Sequence, residues 1–390
     1  MKSILIIEDD KMVASIYRQR FAADGFKVDV AEDGAAGLAR VEVAPPDMVL
    51  LDLMLPKLGG IEVLKRIRAR TETAKLPVVV FSNAYLANVI QDAWDAGANA
   101  VMAKLTRTPK EVVEVVRNLL AGAAAPAPVA TEAGAPSSSG DAEIAFQENL
   151  RKACREASPE TLKSMQRSLH GMARGGDASD RVVHLLELYR RCHSLVGSAG
   201  VAGLHFISYA AAILEALLRE LCEKPEKVGE SCLRTIAMAL DLLLEMFAQG
   251  ESSTGGDDSQ ISILAVDDDQ IVLLAIHHAL ARAQLKGVLM DDPAVALKIM
   301  ELNRFDLVLL DLEMPGFDGL ELCRRLRALP NHTETPVVFL TSASGLENRA
   351  QTILSGGNDF VGKPFLSMEL TLKVLTLILS RRLRKAAPQP

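Results

Sequence analysis

The sequence predicts a multi-domain protein in which two α/β domains, each a doubly wound parallel sheet of five βα units, flank an all-α helical bundle. Three observations carry this. The outer parts of the 390-residue chain repeat each other at an offset of 259 residues. Within each copy, short apolar runs alternate with helix-length amphipathic segments. Stretches rich in Ala, Pro, Gly and Ser part both copies from a middle segment with helical patterning and hardly any strand-like run. The division is a first α/β domain over residues 1–121, a linker over 122–141, a bundle over 142–249, a linker over 250–259, a second α/β domain over 260–384 and a tail over 385–390.

In the second copy the apolar runs are "ISILAV", "GVLM", "LVLL", "PVVFL" and "DFVG", with helix-length segments such as "QIVLLAIHHALARAQ" and "GLELCRRLRAL" between them. Apolar runs without alternation suit strands buried on both faces, and strand–helix alternation implies a parallel sheet covered on both sides. In a doubly wound fold the chemistry lies beyond the carboxyl ends of the strands. The first copy follows in register. Ile4, Leu5, Ile6 and Ile7 align with Ile263, Leu264, Ala265 and Val266, and Glu8 and Asp9 with Asp267 and Asp268. The separations are identical: 43 residues from the second acid to Asp52 or Asp311, 30 more to Ser82 or Thr341, and 22 more to Lys104 or Lys363. Such agreement is the mark of duplication.

The linker 122–141 has almost no bulky side chain and cannot bury enough surface to offset its ordering entropy. Between the linkers, four or five helices are expected, with Ser158 (before Pro159) and Ser179 as helix starts. Leu185, Leu188, Cys192, Leu195, Ala199 and Ala202 form a core seam at three- and four-residue steps. His193 sits about 100° round from Cys192, on the seam's flank. Gly197 and Gly200 lie further along the histidine's stripe and leave the backbone bare for a partner surface. Each costs the helix about 1 kcal/mol against alanine, so something other than helix stability favours them.

Composition narrows the function. A net charge of −7 gives no support for general nucleic-acid binding. The five cysteines are odd in number and lack CxxC spacing, which suggests neither a disulfide framework nor a zinc site. The apolar start "SILII" is too short for a signal segment, and no run of about 18 apolar residues suggests a membrane span. A cytoplasmic protein with no membrane insertion is expected.

The polar residues that follow the strands converge at one end of each sheet. Three carboxylates crowded together repel, and a bound cation relieves them; an all-oxygen, partly hydrated site suits Mg²⁺. A lysine beside the third carboxylate balances charge and can hold the oxygen of an incoming phosphoryl group, and a hydroxyl can bond to that group once attached. This is a kit for phosphoryl transfer onto a carboxylate.

Both outer segments resemble receiver domains of two-component response regulators, a flavodoxin-like (βα)5 family. The resemblance implies phosphoacceptors at Asp52 and Asp311, acidic pairs at Glu8 and Asp9 and at Asp267 and Asp268, and phosphoryl-stabilising residues at Ser82, Lys104, Thr341 and Lys363. It implies backbone carbonyls of Met54 and Glu313 as further Mg²⁺ ligands. Gly60 and Gly319 fit a tight turn beside each site. The copies differ: the second has Phe360 and Pro364, implying an aromatic switch and a cis Lys–Pro bond, where the first has Val101 and Leu105. Asn83 in the first copy stands where a small residue usually follows the hydroxyl.

In the middle, "CHSLVGSAG" resembles the "HxLKGSS" signature of histidine phosphotransfer (HPt) domains, matching at His193, Leu195, Gly197 and Ser198. It departs at Val196, where the family usually has lysine; Arg190, one turn before His193, is the candidate substitute. The leading reading is a phosphorelay protein that accepts phosphoryl groups from a histidine kinase, or from separate HPt or receiver proteins, and exchanges them through His193. A scaffold of two receivers on a degenerate bundle is the alternative. A phosphatase of the haloacid dehalogenase type is the third, using Asp267 and Asp269, but no later acidic pair completes its site. Homodimerisation through receiver faces is common in the family, and the sequence gives no independent sign of it.

Overall fold

The computed structural model describes residues 1–82, 87–104, 109–121, 141–174, 178–249, 261–283, 285–314, 317–342 and 355–386. The expectations for most of both linkers, for Asn83 and Leu105 and for the last four residues fall outside these.

In the N-terminal domain, β1 (Ser3–Ile7), β2 (Lys27–Ala31), β3 (Met48–Leu51), β4 (Val78–Ser82) and β5 (Ala100–Ala103) alternate with α1 (Lys11–Ala23), α2 (Gly34–Val43), α3 (Gly60–Ala69), α4 (Ala87–Asp95) and α5 (Pro109–Leu120). The strands pair in parallel in the order β2-β1-β3-β4-β5. The central strands β1 and β3 are apolar on both faces because helices cover both, and Leu5, Ile7, Val49, Leu51, Val78 and Val80 enter one core. Acids after the strands also cap the helices. Asp10 Oδ1 accepts from the Met12 and Val13 amides at 2.8 and 3.1 Å, and Asp33 caps α2.

The C-terminal domain repeats the plan: β6 (Ser262–Val266), α10 (Gln270–Arg282), β7 (Lys286–Met290), α11 (Pro293–Leu302), β8 (Leu307–Asp311), α12 (Gly319–Ala328), β11 (Val337–Thr341), β12 (Asp359–Gly362) and α13 (Ser367–Ala386). Its sheet order is β7-β6-β8-β11-β12, all parallel. After β8 a small antiparallel pair, β9 (Glu313–Met314) with β10 (Phe317–Asp318), was not foreseen. The Lys363–Pro364 bond is cis.

The helical region holds α6 (Asp141–Ala173), α7 (Ala178–Val201), α8 (His205–Glu223), a 3-10 turn at Pro225–Lys227 and α9 (Glu230–Gln249). The expected break at Ser158 does not occur: α6 runs straight through Pro159. Leu150, Cys154, Ser158, Leu162, Met165, Leu169 and Met172 are all buried, one seam at steps of three and four that crosses the proline. Burial of that seam outweighs the roughly 3 kcal/mol propensity penalty of an interior proline. Ser158 turns its hydroxyl back onto the Cys154 carbonyl at 2.6 Å instead of opening a new helix. The seam expected on α7 is buried throughout.

The chain parts into two compact units, residues 1–158 with 190–208, and residues 159–189 with 209–390. The first therefore holds the N-terminal α/β domain and the His193 stretch of α7. The second holds the C-terminal α/β domain and α9.

Candidate functional sites

In the first unit, Glu8 and Asp9 follow β1, Asp52 follows β3 and Lys104 follows β5, so the parallel order of the strands brings them together. Lys104 Nζ lies 2.6 Å from Glu8 Oε2 and 2.9 Å from Asp52 Oδ2. Lys104 and Asp52 are each only 2 % exposed. Asp52 Oδ1 accepts from the Leu53 amide at 2.6 Å, which aims Oδ2 outward from the strand end. Ser82 ends β4, in register with Ala103 of β5. Gly60 explains itself differently from expectation: its φ is not positive, but a Cβ there would stand 2.1 Å from the Asp52 carbonyl oxygen. Gly319 meets Asp311 in the same way, at 2.0 Å. Close approach to the backbone, not turn conformation, demands these glycines.

Electrostatics follow from the burial. Burial pushes the Glu8 carboxyl up to about 8, with Lys104 opposing and Asp52 reinforcing. Burial and the Asp52 charge raise Asp9 as well. Burial also acts to raise Asp52, but Lys104 and His193 outweigh it and hold this carboxylate well below its usual range. Burial acts to lower Lys104, but Asp52 and Glu8 keep it firmly protonated.

The same unit brings α7 to this site. His193 Nε2 lies 3.5 Å from Asp52 Oδ2, the oxygen that Lys104 also touches. One residue on, the Ser194 hydroxyl donates to Asp10 Oδ2 at 2.6 Å. His193 is 5 % exposed, and Gly197, Ser198 and Gly200 are buried with it. The bare backbone foreseen around the histidine thus meets a surface of the same chain. Val196 is also fully buried, as is usual for valine and costly for lysine. Arg190 is exposed, and the cation beside the imidazole and Asp52 is Lys104. Ser194 and Asp10 were missed in the sequence. The third acid of "EDD" and "DDD" was visible there as a repeat, whereas nothing marked the serine.

In the second unit the corresponding set assembles again. Lys363 Nζ lies 2.6 Å from Asp267 Oδ2 and 2.8 Å from Asp311 Oδ1. Burial raises Asp267, with Lys363 opposing; burial acts to lower Lys363, but Asp267 and Asp311 raise it above its usual value. Thr341 is buried at the end of β11, and Ser342 donates to Glu313 Oε2 at 3.2 Å. Asp268 is exposed, and the Lys363 side chain is 17 % exposed. Phe360 is half-buried against the core of β6, β8, α11 and α12.

Each acidic triad fits a divalent cation. Carboxylate oxygens of Glu8, Asp9 and Asp52 lie within 4.8 Å of one another, and so do those of Asp267, Asp268 and Asp311. The donors are oxygens only, the set that Mg²⁺ takes.

The profile of the response regulator receiver domain matches residues 4–117 and again 263–375, together more than half of the chain. The chain belongs to the response regulator receiver family. Between its two receivers, the profile of the Hpt domain matches residues 149–250. The cyclic di-GMP phosphodiesterase response regulator RpfG of Xanthomonas campestris pv. campestris (strain 8004) is 34% identical over 134 residues, 34% of this chain and 35% of that protein. The transcriptional regulatory protein SpaR of Bacillus subtilis is 36% identical over 117 residues, 29% of this chain and 49% of its own. Among solved structures, the chemotaxis response regulator CheY4 of Vibrio cholerae is 28% identical, with 31% of this chain and 99% of that one covered and a TM-score of 0.29. The match takes in about a third to a half of the length of these curated relatives, so their whole-protein activities are their own. Receivers flanking an Hpt domain are the parts of a two-component phosphorelay protein. Among the described residues, no helix is long and apolar enough to cross a membrane.

Proposed function

We propose that this chain is a phosphorelay protein in which Asp52 and His193 exchange a phosphoryl group within one polypeptide, while Asp311 exchanges with other proteins. One observation carries the first half: His193 Nε2 stands 3.5 Å from Asp52 Oδ2 with Lys104 on the same oxygen. In the forward direction the Nε2 lone pair of a neutral imidazole, its proton on Nδ1, attacks the phosphorus of the Asp52 acyl phosphate. The N–P bond forms as the P–O bond to Asp52 breaks, and the carboxylate leaves with the electron pair, stabilised by Lys104. The reverse reaction phosphorylates Asp52 from His193. Positioning and neutralisation of charge supply the catalysis. At 3.5 Å there is no room for phosphorus in line, so the imidazole draws back when either group is loaded.

Mg²⁺ held by Glu8, Asp9 and Asp52 with the Met54 carbonyl, and by Asp267, Asp268 and Asp311 with the Glu313 carbonyl, would neutralise phosphoryl oxygens. Ser82 and Thr341 would bond to the attached group, and Phe360 would serve as the second receiver's switch. The more open second site suits entry of phosphoryl groups from a histidine kinase or a separate HPt protein. The buried Val196 favours the scaffold reading to the extent that the lysine usual at this position of the HPt signature is missing, although Lys104 of the receiver reaches the same Asp52 oxygen as His193. Radiolabelled acetyl phosphate supplied to the Asp311→Ala chain decides between them. Exchange gives acid-labile, base-stable label that disappears with His193→Ala; a scaffold labels Asp52 alone.

A further inference from the structure

We propose that Ser194 is the positioning residue of the exchange between Asp52 and His193, holding α7 against the first turn of α1 through Asp10. This rests on the exchange proposed above. The Asp10 carboxylate divides its oxygens: Oδ1 takes the Met12 and Val13 amides at 2.8 and 3.1 Å, and Oδ2 takes the Ser194 hydroxyl at 2.6 Å. That distance is typical of a hydroxyl bonded to an ionised carboxylate, stronger than a neutral pair. The α1 cap stands two residues past Glu8, and Ser194 is one residue past His193. The bond therefore ties the backbone beside the donor to the backbone beside the acceptor site without using a reacting atom.

The placement leaves the chemistry free. While Ser194 stays bonded to Asp10, the imidazole can draw back from Asp52 to admit phosphorus and return, because its own torsions lie outside the tether. A neutral hydroxyl adds no charge to the acidic triad and does not compete with Lys104 for Asp52. The second receiver keeps the same fixture: Asp269 caps α10, with Oδ1 accepting from the Ile271 amide at 2.8 Å.

The test uses the full chain in the Asp311→Ala background, with Mg²⁺ and radiolabelled acetyl phosphate. Ser194→Ala is expected to slow appearance of label on His193 about tenfold, a range set by loss of one charged hydrogen bond. Labelling of Asp52 itself should proceed at the parent rate, which damage to the fold would not allow, and Ser194→Thr should restore transfer. Asp10→Ala also removes the α1 cap, so the pair is read as a double-mutant cycle: Ser194→Ala should cost nothing further once Asp10 is gone. Parent-like transfer in Ser194→Ala, a parallel fall in Asp52 labelling, or additive effects in the cycle would overturn the assignment. If the parent itself never labels His193, the exchange fails and the positioning role with it; a parent that transfers beside an unaffected Ser194→Ala removes the positioning role alone.

Discussion

The two receivers have kept one set of acids and a lysine at their strand ends and parted in what touches it. In the first, the Asp52 carboxylate faces a histidine of the same unit, and the last helix, α5, is an ordinary surface helix. Val112, Val113 and Val116 of α5 are buried, while Lys110, Glu114, Arg117 and Asn118 are exposed. In the second, Lys363 and Asp268 keep some exposure, and the last helix is enclosed instead: every residue from 370 to 376 of α13 is buried. The cover is α9. Ser231 donates to the Phe360 carbonyl at 3.4 Å, the Cys232 thiol to Glu369 Oε2 at 3.1 Å, and Arg234 lies 3.4 Å from Asp359. In the second copy the chain's own α9 covers β12 and α13. Duplication preserved the strand-end chemistry, and divergence worked on the helices around it.

Substitutions at aligned positions break this comparison most forcefully. Lys373 is fully buried with its Nζ 2.8 Å from Asp359, whereas its counterpart 259 residues earlier, Glu114, is exposed and faces no such partner in the aligned Ala100. Lys373→Ala should destabilise the second receiver by about 3–5 kcal/mol, since a buried carboxylate loses its main countercharge. Glu114→Ala should stay within about 0.5 kcal/mol. Hydrogen exchange of the β12 and β5 amides reads both. Equal effects would mean that the enclosure of α13 does not matter energetically.

Shared features should respond alike. Gly60→Ala and Gly319→Ala each force a Cβ to within 2.1 and 2.0 Å of a carbonyl oxygen, so each should destabilise its own receiver by about 3 kcal/mol or more. Trp94, the only tryptophan, reports the first by fluorescence. A tolerated alanine at one position and not the other would show that the two turns have diverged.

The smallest expected effect is a pH slope. Burial, then the Glu369 charge, pushes the Cys232 thiol from an ordinary 9.0 up to about 12. The folded thiol keeps its proton where the unfolded one loses it, so the fold binds more protons across that window and stability falls as pH rises from 9 to 12. Cys232→Ala should flatten part of the slope in the second unit. An unchanged slope would assign it to other groups.

Much of this was legible in the sequence because the duplication printed it twice. The strand–helix alternation, the converging acids and lysines, the α7 seam and the cis Lys363–Pro364 bond all follow from local pattern or resemblance. One duplicated brace went unread although its residues repeat in register. Arg68 donates to the Gly97 carbonyl and to Asn99, and Arg327 does the same to Gly356 and Asn358. Its signal was there, but guanidinium-to-carbonyl bonds leave no periodicity. Pro159 reads locally as a helix breaker, and the buried seam on both sides of it overrides that reading. The meeting of His193 with Asp52, and of Ser194 with Asp10, joins residues far apart in sequence, and no local pattern encodes that.

Dilution separates transfer within one chain from transfer between chains. A histidine already 3.5 Å from its partner carboxylate should react within its own chain, at an effective concentration on the order of millimolar or above. With Asp311→Ala chains labelled at Asp52, the first-order rate of label arrival on His193 should not change across a wide dilution series. A rate that falls in proportion to protein concentration, or label that never reaches His193, would contradict the account.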